Sequence, residues 1–372
     1  MSRLRRHFER LVEPADIQID GDRPWDVRVH DERLFQRVLS HGTLGLGEAY
    51  MDGWWDCDAI DQMVRRAHDS AIARRLASPT TLLRVAEAKL RNLQRGERAY
   101  EVGRRHYDVG NDLYRAMLDP LMMYSCGYWH GADDLAAAQE AKLELIQNKL
   151  MLEPGMRVLD IGCGWGGAAR FFAERAGVEV VGITISEEQA NLARVTNDGL
   201  PVEIRMQDYR DVTERFDRVY SIGMFEHVGD KNYRGYMRAV RRCLADRDGV
   251  TLLHTIGGNR SNNRTDPWMD RYIFPNSLIP SAAQIADAAE GALTLEDWHN
   301  FGPDYDRTLM AWHANISEAW ADLPSYDERF RRMWDFYLLV SAGGFRSRYL
   351  QLWQVVFSRD GLPTPYAPSG IR

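Results

Sequence analysis

Short apolar runs alternate with amphipathic stretches through the middle of the chain, from about residue 140 to residue 260. The run at 157–161 lies between Pro154-Gly155 and a group of glycines, which is typical of a buried strand, and the run at 178–185 predicts a second strand. The stretch at 187–195 has helical spacing and follows Ser186, a residue type that caps helix N-termini. Strands separated by helices predict a parallel sheet that is covered on both faces.

The same patterns extend over the rest of the chain. The other elements predicted between 140 and 260 are helices at 168–175 and 233–244 and strands at 202–206, 218–222 and 250–256. Two helical stretches at 305–320 and 325–342 are followed by a strand-like run at 350–358. Up to about residue 100 the chain is mixed in character. We therefore predict an N-terminal domain over residues 1–100 and a second domain over residues 101–372.

Composition narrows the possible functions. The chain has 372 residues, of which 45% are hydrophobic and 27% charged, as expected for a folded globular protein with room for two domains. Its net charge of −7 argues against a nucleic-acid-binding protein. The sequence contains no run of about 18 apolar residues, the length that a membrane-spanning helix needs. The N-terminus also lacks the apolar stretch of a secretory signal.

The four cysteines are scattered through the sequence, without the paired spacing of a zinc site. We expect no metal site. Free thiols and the lack of a targeting segment are typical of a cytoplasmic protein.

A glycine-rich turn follows the first strand of the middle region, where residues 159–167 read LDIGCGWGG. Gly162, Gly164 and Gly167 fit the G-x-G-x-x-G spacing of nucleotide-binding turns, in which glycines let a ligand approach the backbone closely. The spacing alone does not distinguish a dinucleotide from another adenosine-containing cofactor, or from a tight turn that binds nothing.

The ends of the next two strands separate these alternatives. Nicotinamide enzymes have an acidic residue about 20 residues after the turn, at the tip of the second strand. Here that strand ends GITIS (182–186), without an acid, so contacts with a ribose have to come from elsewhere, and Gln189 is the nearest candidate. Thr184, near the end of the same strand, is also predicted to bind the cofactor. After the third strand come Asp208, which suits the amino group of an adenine, and Tyr209, which suits its ring face.

The residues around the turn resemble motif I of class I methyltransferases that use S-adenosylmethionine. In that family the acidic residue at the strand end faces the methionine ammonium, and the glycines pass beneath the cofactor. The resemblance implies a Rossmann-like α/β fold with a seven-stranded sheet, here with an additional smaller N-terminal domain. It assigns Asp160, Gly162, Gly164 and Gly166 to the cofactor.

A wider set of motifs is similar to the cyclopropane-fatty-acyl-phospholipid synthases, a family related to the mycolic acid cyclopropane synthases. The motifs are GTLGLGEAYMDGWW (42–55), HYDVGNDLYRAMLDP (106–120), YSCGYW (124–129), GMFEHV (223–228), LLHTI (252–256), FPNSLIPS (274–281), DWHNFG (297–302) and FRSRYLQLWQVVFSR (345–359). Many methyltransferases share motif I, whereas the whole set is specific and covers nearly the entire chain. It adds Tyr124 and Ser125 to the residues implied to bind the cofactor.

The resemblance also implies a reaction. A cis double bond in a phospholipid acyl chain attacks the sulfonium methyl, and the resulting cation loses a proton as the ring closes. In this family a bound bicarbonate accepts the proton, and the positions that match its ligands are Cys126, Glu226, His254, Ile256 through its backbone, and Tyr305. Taken singly, Cys126 suits a buried apolar site, His254 a core histidine and Glu226 a cap.

Two further features bear on substrate and partners. Residues 82–106 carry seven Arg or Lys against three Glu, which suits either docking on anionic lipid headgroups or a solvated helix face. We expect a homodimer that associates peripherally with the inner face of the membrane.

One position departs from the family, which commonly has a cysteine where this chain has Ser341.

Two alternatives remain open. One is a related methyltransferase that adds a methyl or methylene branch to acyl chains or methylates a small amine. The other is a lipid- or cofactor-binding protein that has lost catalysis.

Overall fold

The computed structural model describes residues 3–70, 110–246 and 248–368. Its helices, in chain order, are α1 (Arg3–Val12), α2 (Arg33–His41), α3 (Thr43–Met51), α4 (Ile60–Asp69), α5 (Asn111–Met117), α6 (Leu135–Leu150), α7 (Gly167–Ala176), α8 (Glu187–Thr196), α9 (Tyr233–Cys243), α10 (Pro267–Tyr272), α11 (Ala282–Ala289), α12 (Pro303–Ala319) and α13 (Glu328–Arg346). Its strands are β1 (Arg28–Val29), β2 (Trp55–Asp56), β3 (Arg157–Ile161), β4 (Glu179–Thr184), β5 (Val202–Met206), β6 (Arg218–Ile222), β7 (Val250–Gly258), β8 (Thr294–Asn300) and β9 (Leu350–Ser358). The basic stretch at 82–106 lies outside the described residues.

The chain forms two compact units, each assembled from segments that are far apart in sequence. The first comprises the described part of Met1–Arg91 with Asn263–Pro275 and Tyr305–Leu350. The second comprises the described parts of Asn92–Asn262 and Gln351–Arg372 with Asn276–Asp304. The predicted boundary at residue 100 lies outside the described residues. The N-terminal unit also contains two segments that the sequence analysis assigns to the second domain.

Buried aromatic rings and arginines hold the late segments in the first unit. Phe336 of α13 packs its ring 4.8 Å from that of Trp268 and 5.4 Å from that of Tyr50. Arg332, one turn earlier in α13, donates hydrogen bonds to the backbone carbonyls of Tyr50 (2.6 Å) and Trp55 (2.9 Å). These contacts join α13 to α3 and β2, which is why the C-terminal helix belongs to the N-terminal unit.

The second unit is built on a seven-stranded sheet of the order β5-β4-β3-β6-β7-β9-β8 within the described residues. Strands β3 to β7, which come from the region predicted to form a parallel sheet, pair in parallel, as predicted. Strands β8 and β9, which lie outside that region, pair antiparallel. Helical crossovers join β3 to β4 through α7, β4 to β5 through α8, and β6 to β7 through α9. The chain between β8 and β9 passes instead through α12 and α13, and it re-enters the sheet in the opposite direction.

Alternate residues of each central strand pack on opposite faces of this sheet. Leu159 and Ile161 belong to one apolar cluster, which includes buried residues of α9. Val158 belongs to the other, with buried residues of α6 and α7. Both faces are therefore covered, which explains why these strands read as continuous apolar runs.

The predicted bounds of β3, β5, β6 and β9 agree with the structure, and Ser186 caps α8 by accepting from the backbone N–H of Gln189. Strand β8 has no apolar run, since its residues are exposed or half-buried, and the sequence analysis did not identify it. Among the described residues, no helix is long and apolar enough to cross a membrane.

Candidate active site

The glycine loop between β3 and α7 exposes its backbone to a cavity. Gly162 has φ +86°, and a Cβ there would lie 2.8 Å from Cγ of Met224. Gly164 has φ +54°, and no heavy atom lies within 4 Å of where its Cβ would be. Only glycine adopts such a backbone without strain, and at Gly164 the space next to the chain is open to a ligand.

Most residues predicted to bind the cofactor line this cavity: Tyr124, Ser125, Asp160, Gly162, Gly164, Thr184, Gln189, Asp208 and Tyr209. Gly166 does not. Its φ of +81° turns the chain into α7, and a Cβ there would lie 2.5 Å from Nδ2 of Asn197. The structure gives Gly166 a conformational role next to the cavity.

Asp160, the last but one residue of β3, is buried, and both a tyrosine hydroxyl and the charge of Lys142 act on its carboxyl group. The hydroxyl of Tyr220 on β6 donates to its Oδ2 at 2.9 Å. Burial raises the pKa of Asp160 to about 7, and the Tyr220 hydrogen bond opposes this shift only in part. A cation bound in the cavity would stabilise the charged carboxylate.

Thr184 and Gln189 form one polar group at the end of β4. The Thr184 hydroxyl donates to Oε1 of Gln189 at 3.1 Å and accepts from the backbone N–H of Ser186 at 3.2 Å. Because its oxygen is engaged in this way, Gln189 offers the cavity its NH₂ group, a donor suited to a hydroxyl oxygen.

Asp208 is already bonded to a neighbour that sequence reasoning missed. Its carboxylate accepts from Nη2 (2.5 Å), Nε (2.8 Å) and the backbone N–H (2.9 Å) of Arg210. Burial raises the pKa of Asp208, but the hydrogen bonds from Arg210 outweigh burial and hold that pKa below its ordinary value. Part of the acceptor capacity expected to face an adenine is therefore used within the protein.

The cavity is also lined by residues that the sequence analysis did not single out, among them Met122, Met123, Trp165, Met224 and His227. His227 lies within the quoted motif GMFEHV, which is the signal that would have found it. Burial lowers the pKa of His227 to about 4, so its ring is neutral at neutral pH. The methionines give the cavity an adaptable apolar wall.

A second polar group is centred on Glu226, in the turn Phe225–His227 after β6. Its Oε1 accepts from the backbone N–H of Ile256 on β7 at 2.6 Å. Its Oε2 is buried and has no hydrogen-bond partner among the described residues. Burial raises the pKa of Glu226, and the hydrogen bond from Ile256 and the side chain of Thr255 oppose this shift.

His254, two residues before Ile256, is buried with a similar unsatisfied atom. Its Nε2 has no hydrogen-bond partner in the described part of the chain, and its Nδ1 lies 3.4 Å from Nε2 of Gln354 on β9. Burial lowers the pKa of His254 well below its ordinary value, and the charges of Lys142 and Lys149 lower it further. The ring is neutral, and the ring of Phe301 lies 5.9 Å from it, edge to face.

The structure treats the other predicted bicarbonate ligands differently. The thiol of Cys126 is buried and donates to the carbonyl of Gly127 at 3.1 Å. The N–H of Ile256, predicted to face the anion, is bonded to Glu226, so Ile256 orients that carboxylate. Tyr305 belongs to the first unit, where its ring packs 4.5 Å from that of Phe345.

A sequence profile of the mycolic acid cyclopropane synthetase family matches residues 94–355. The chain belongs to this family. It is 52% identical over 351 residues to the cyclopropane-fatty-acyl-phospholipid synthase of Escherichia coli K12, covering 94% of this chain and 92% of that protein. It is 31% identical over 354 residues to the tuberculostearic acid methyltransferase UfaA1 of Mycobacterium tuberculosis, covering 89% of this chain and 82% of that one.

Solved structures agree with the family and the fold. The cyclopropane synthase MmaA2 from Mycobacterium tuberculosis matches with a TM-score of 0.65 and 29% identity, over 70% of this chain and 98% of that one. The mycolic acid cyclopropane synthase CmaA1, in complex with SAH and CTAB, matches with a TM-score of 0.64 and 31% identity over the same shares. Coclaurine N-methyltransferase, 22% identical, shares the fold with a TM-score of 0.66, over 84% of this chain and 99% of that one. The predicted class I methyltransferase fold is confirmed.

Proposed function

We propose that this protein transfers the methyl group of S-adenosylmethionine to the cis double bond of an unsaturated phospholipid acyl chain and forms a cyclopropane ring. The observation that carries the proposal is 52% identity to a cyclopropane-fatty-acyl-phospholipid synthase over 94% of the chain. The cavity beneath the glycine loop supports it, because open space beside Gly164 and the buried carboxylate of Asp160 suit a ligand that carries positive charge.

The cofactor supplies an electrophilic methyl group on sulfur. In our proposal Asp160 pairs with its ammonium group, the NH₂ of Gln189 donates to a ribose hydroxyl, and Tyr209 packs against the adenine. An alkene is a weak nucleophile, so the rate depends on alignment and on excluding water. Positioning of this kind supplies about 7–11 kcal/mol of a barrier in well-oriented systems.

The proton released on ring closure requires a base, and we assign this role to a bound bicarbonate. A bicarbonate supplies a proton-accepting oxygen and a hydroxyl. The unsatisfied Oε2 of Glu226 is an acceptor for that hydroxyl, and a proton on the unsatisfied Nε2 of His254 is a donor to an oxygen. Buried polar atoms without partners are costly, which supports a bound polar group at this place. We propose Cys126 as a further contact of the anion.

The reaction is tested by incubating the protein with S-adenosylmethionine labelled on the methyl group and vesicles of cis-unsaturated phospholipid. We expect acyl chains that gain one CH₂, carry the label and no longer have the double bond. Labelled chains that carry a methyl or methylene branch would support the branching alternative instead. Unlabelled lipid together with methylation of a small amine would reject the proposal.

The role of bicarbonate is tested separately, in buffer freed of carbon dioxide. We expect turnover to fall and to recover when bicarbonate is added, with the affinity for S-adenosylmethionine unchanged. Full activity without bicarbonate would reject this assignment while leaving the overall reaction intact.

We further propose that the protein acts as a homodimer bound peripherally to the inner face of the membrane. Withdrawing each methylene of an acyl chain into water costs about 0.8 kcal/mol, so the enzyme has to work at the lipid surface. The basic stretch at 82–106 suits anionic headgroups, at about 1 kcal/mol per Lys or Arg near the surface.

Flotation with anionic and with neutral vesicles at low and high salt tests the docking. We expect binding only to anionic vesicles, lost at high salt and in a variant with Arg91, Arg95 and Arg98 changed to Ala. Binding that is unchanged by salt and by these substitutions would reject the docking proposal.

Sedimentation equilibrium tests the dimer. A single species with the mass of a monomer would exclude it.

A further inference from the structure

Gln354 lies fully buried on β9, next to β7 in the sheet, and the proposed function gives it no role. Its side-chain Nε2 is 3.4 Å from Nδ1 of His254. Its Oε1 has no hydrogen-bond partner among the described residues. Within the described part of the chain, the polar group that this amide contacts is therefore the imidazole of His254.

The orientation of the amide decides which ring nitrogen of His254 carries the proton. An NH₂ facing Nδ1 requires that Nδ1 accept, so the proton of a neutral ring sits on Nε2; an oxygen facing Nδ1 requires the opposite. Reversing the amide would leave its NH₂ group unpaired in the core in place of its oxygen. Unpaired buried N–H donors are rarer in proteins than unpaired carbonyl oxygens, so the orientation with NH₂ toward Nδ1 is preferred.

Burial, together with the positive charges around the ring, keeps His254 neutral, so that the choice between the two tautomers matters. Lys142 and Lys149, both buried on α6, place positive charge near His254. Lys149 is paired with Asp297 at 3.4 Å, and Lys142 donates to the hydroxyl of Ser125 at 3.1 Å. A second proton on His254 would add another positive charge to this interior.

We propose that Gln354 is a positioning residue that donates a hydrogen bond to Nδ1 of His254 and thereby holds the imidazole in the tautomer with its proton on Nε2. The consequence for catalysis rests on the proposed function: the unsatisfied Nε2 then donates to an oxygen of the bound anion. In the other tautomer the same atom would turn a lone pair toward that oxygen and repel it.

The tautomer is measured by nitrogen NMR on protein labelled with ¹⁵N-histidine at neutral pH. The chain has ten histidines, and the spectrum of His254→Gln identifies the signals of His254 by their loss. We expect the wild type to carry the proton on Nε2. We expect Gln354→Glu, which replaces the donor by an acceptor of the same size, to move the proton to Nδ1, and Gln354→Met to give a mixture of the two tautomers.

Activity provides the second measurement. Loss of one donor to a developing or bound anion typically lowers kcat by about 10²–10³-fold, and we expect Gln354→Glu to show a loss of this size with the KM for S-adenosylmethionine unchanged. Gln351→Glu is the matched control, since Gln351 lies on the same strand and bonds to Asn259 and Asn300 instead. It introduces the same buried carboxylate but is expected to leave the His254 tautomer unchanged.

A wild-type ring with its proton on Nδ1, or Gln354 variants whose His254 tautomer matches the wild type, would overturn the inference. If Gln354→Glu fails to fold, Gln354→Met decides the question by the same spectrum. Failure of the proposed function has a different signature: the wild-type tautomer is then as predicted, but the preparation shows no ring formation or no need for bicarbonate.

Discussion

The two clusters of polar side chains in the second unit differ in whether their polar atoms have hydrogen-bond partners within the protein. Around the cofactor cavity, Asp160 is bonded to Tyr220, Thr184 to Gln189, and Asp208 to Arg210. At the proposed bicarbonate site, Oε2 of Glu226 and Nε2 of His254 are buried and have no hydrogen-bond partner within residues 3–70, 110–246 and 248–368. The first group is held in place by bonds within the protein, whereas the second has hydrogen-bonding capacity that a bound molecule could use.

This difference indicates where each kind of specificity resides. In the cofactor cavity, shape is provided by a glycine backbone, and the polar side chains are held in fixed orientations. At Glu226 and His254 the protein tolerates unsatisfied polar atoms, which destabilise the fold by about 1–3 kcal/mol each unless a ligand binds. Substitutions in the second group are therefore expected to change turnover more than stability.

The largest effect is expected for Glu226→Gln. An amide at this position still accepts from Ile256, so the fold is retained, but an NH₂ group then faces the hydroxyl of the proposed anion. We expect kcat to fall by about 10²–10⁴-fold, the range for loss of a group that acts in proton transfer. Binding of S-adenosylmethionine, measured by calorimetry, should be unchanged. Near-normal turnover would show that Glu226 is not part of the base site.

A smaller effect, confined to the cofactor, is expected for Gly164→Ala. The added Cβ points into open space in the cavity and has to compete with the ligand; overpacking of this kind costs about 1–3 kcal/mol, or about 5- to 150-fold in affinity. Gly155→Ala is the control, because Gly155 also has positive φ (+83°) and an open Cβ position but does not line the cavity. Equal losses of affinity in the two variants would contradict a cavity-specific effect.

The pH dependence of cofactor binding tests Asp160. Burial raises its pKa to about 7, so a bound cation gains its negative partner as the pH rises through 7. We expect the affinity for S-adenosylmethionine to increase from pH 6 to pH 8, by up to about tenfold per pH unit below the pKa. Asp160→Asn should bind more weakly and with a flat profile over this range. A wild-type affinity independent of pH would exclude this role.

The raised pKa of the Asp160 carboxyl group also predicts how stability depends on pH. Its folded pKa is raised above the ordinary value of 3.8, so its favourable contribution is fully present below about pH 4 and is lost as the pH rises through about 7. Urea unfolding of the ligand-free protein should therefore show Asp160→Asn gaining stability relative to the wild type between pH 5 and pH 8. A constant difference between the two proteins would contradict the assigned pKa.

The smallest effect is expected outside both polar groups, at Ser341 in α13. The side chain is half-buried, and a cysteine, which the family commonly has here, is close to it in size. We expect Ser341→Cys to change turnover by less than about threefold and the free energy of unfolding by less than about 1 kcal/mol. A large rise in turnover would show that a thiol at position 341 contributes to catalysis.

Much of the fold and of the cofactor site could be predicted from local sequence patterns. Short runs rich in apolar residues identified β3 and β6, because a strand covered on both faces is largely apolar. Strand β5 (VEIRM) instead alternates apolar and charged residues, as a strand with one exposed face does. The glycine spacing and the acid before it identified the cofactor loop, because a backbone that a ligand approaches closely excludes side chains. Strand β8 was not predicted, because its half-buried residues carry no such pattern. The role of Arg210 was not predicted either, because its bond to Asp208 depends on the conformation of the turn.

The sequence by itself determined the family, the glycine loop and most of the residues that line the cofactor cavity, since these follow from motifs in which each residue type has a local reason. Only the tertiary structure decided which atoms are satisfied. Oε2 of Glu226 and Nε2 of His254 have no hydrogen-bond partner in the part of the chain that the structure describes. In the tertiary structure the N–H of Ile256 donates to Glu226, and Gln354 on β9 lies next to His254 on β7. These hydrogen bonds join residues 30 and 100 positions apart, and they depend on strand order and direction, which no local pattern encodes.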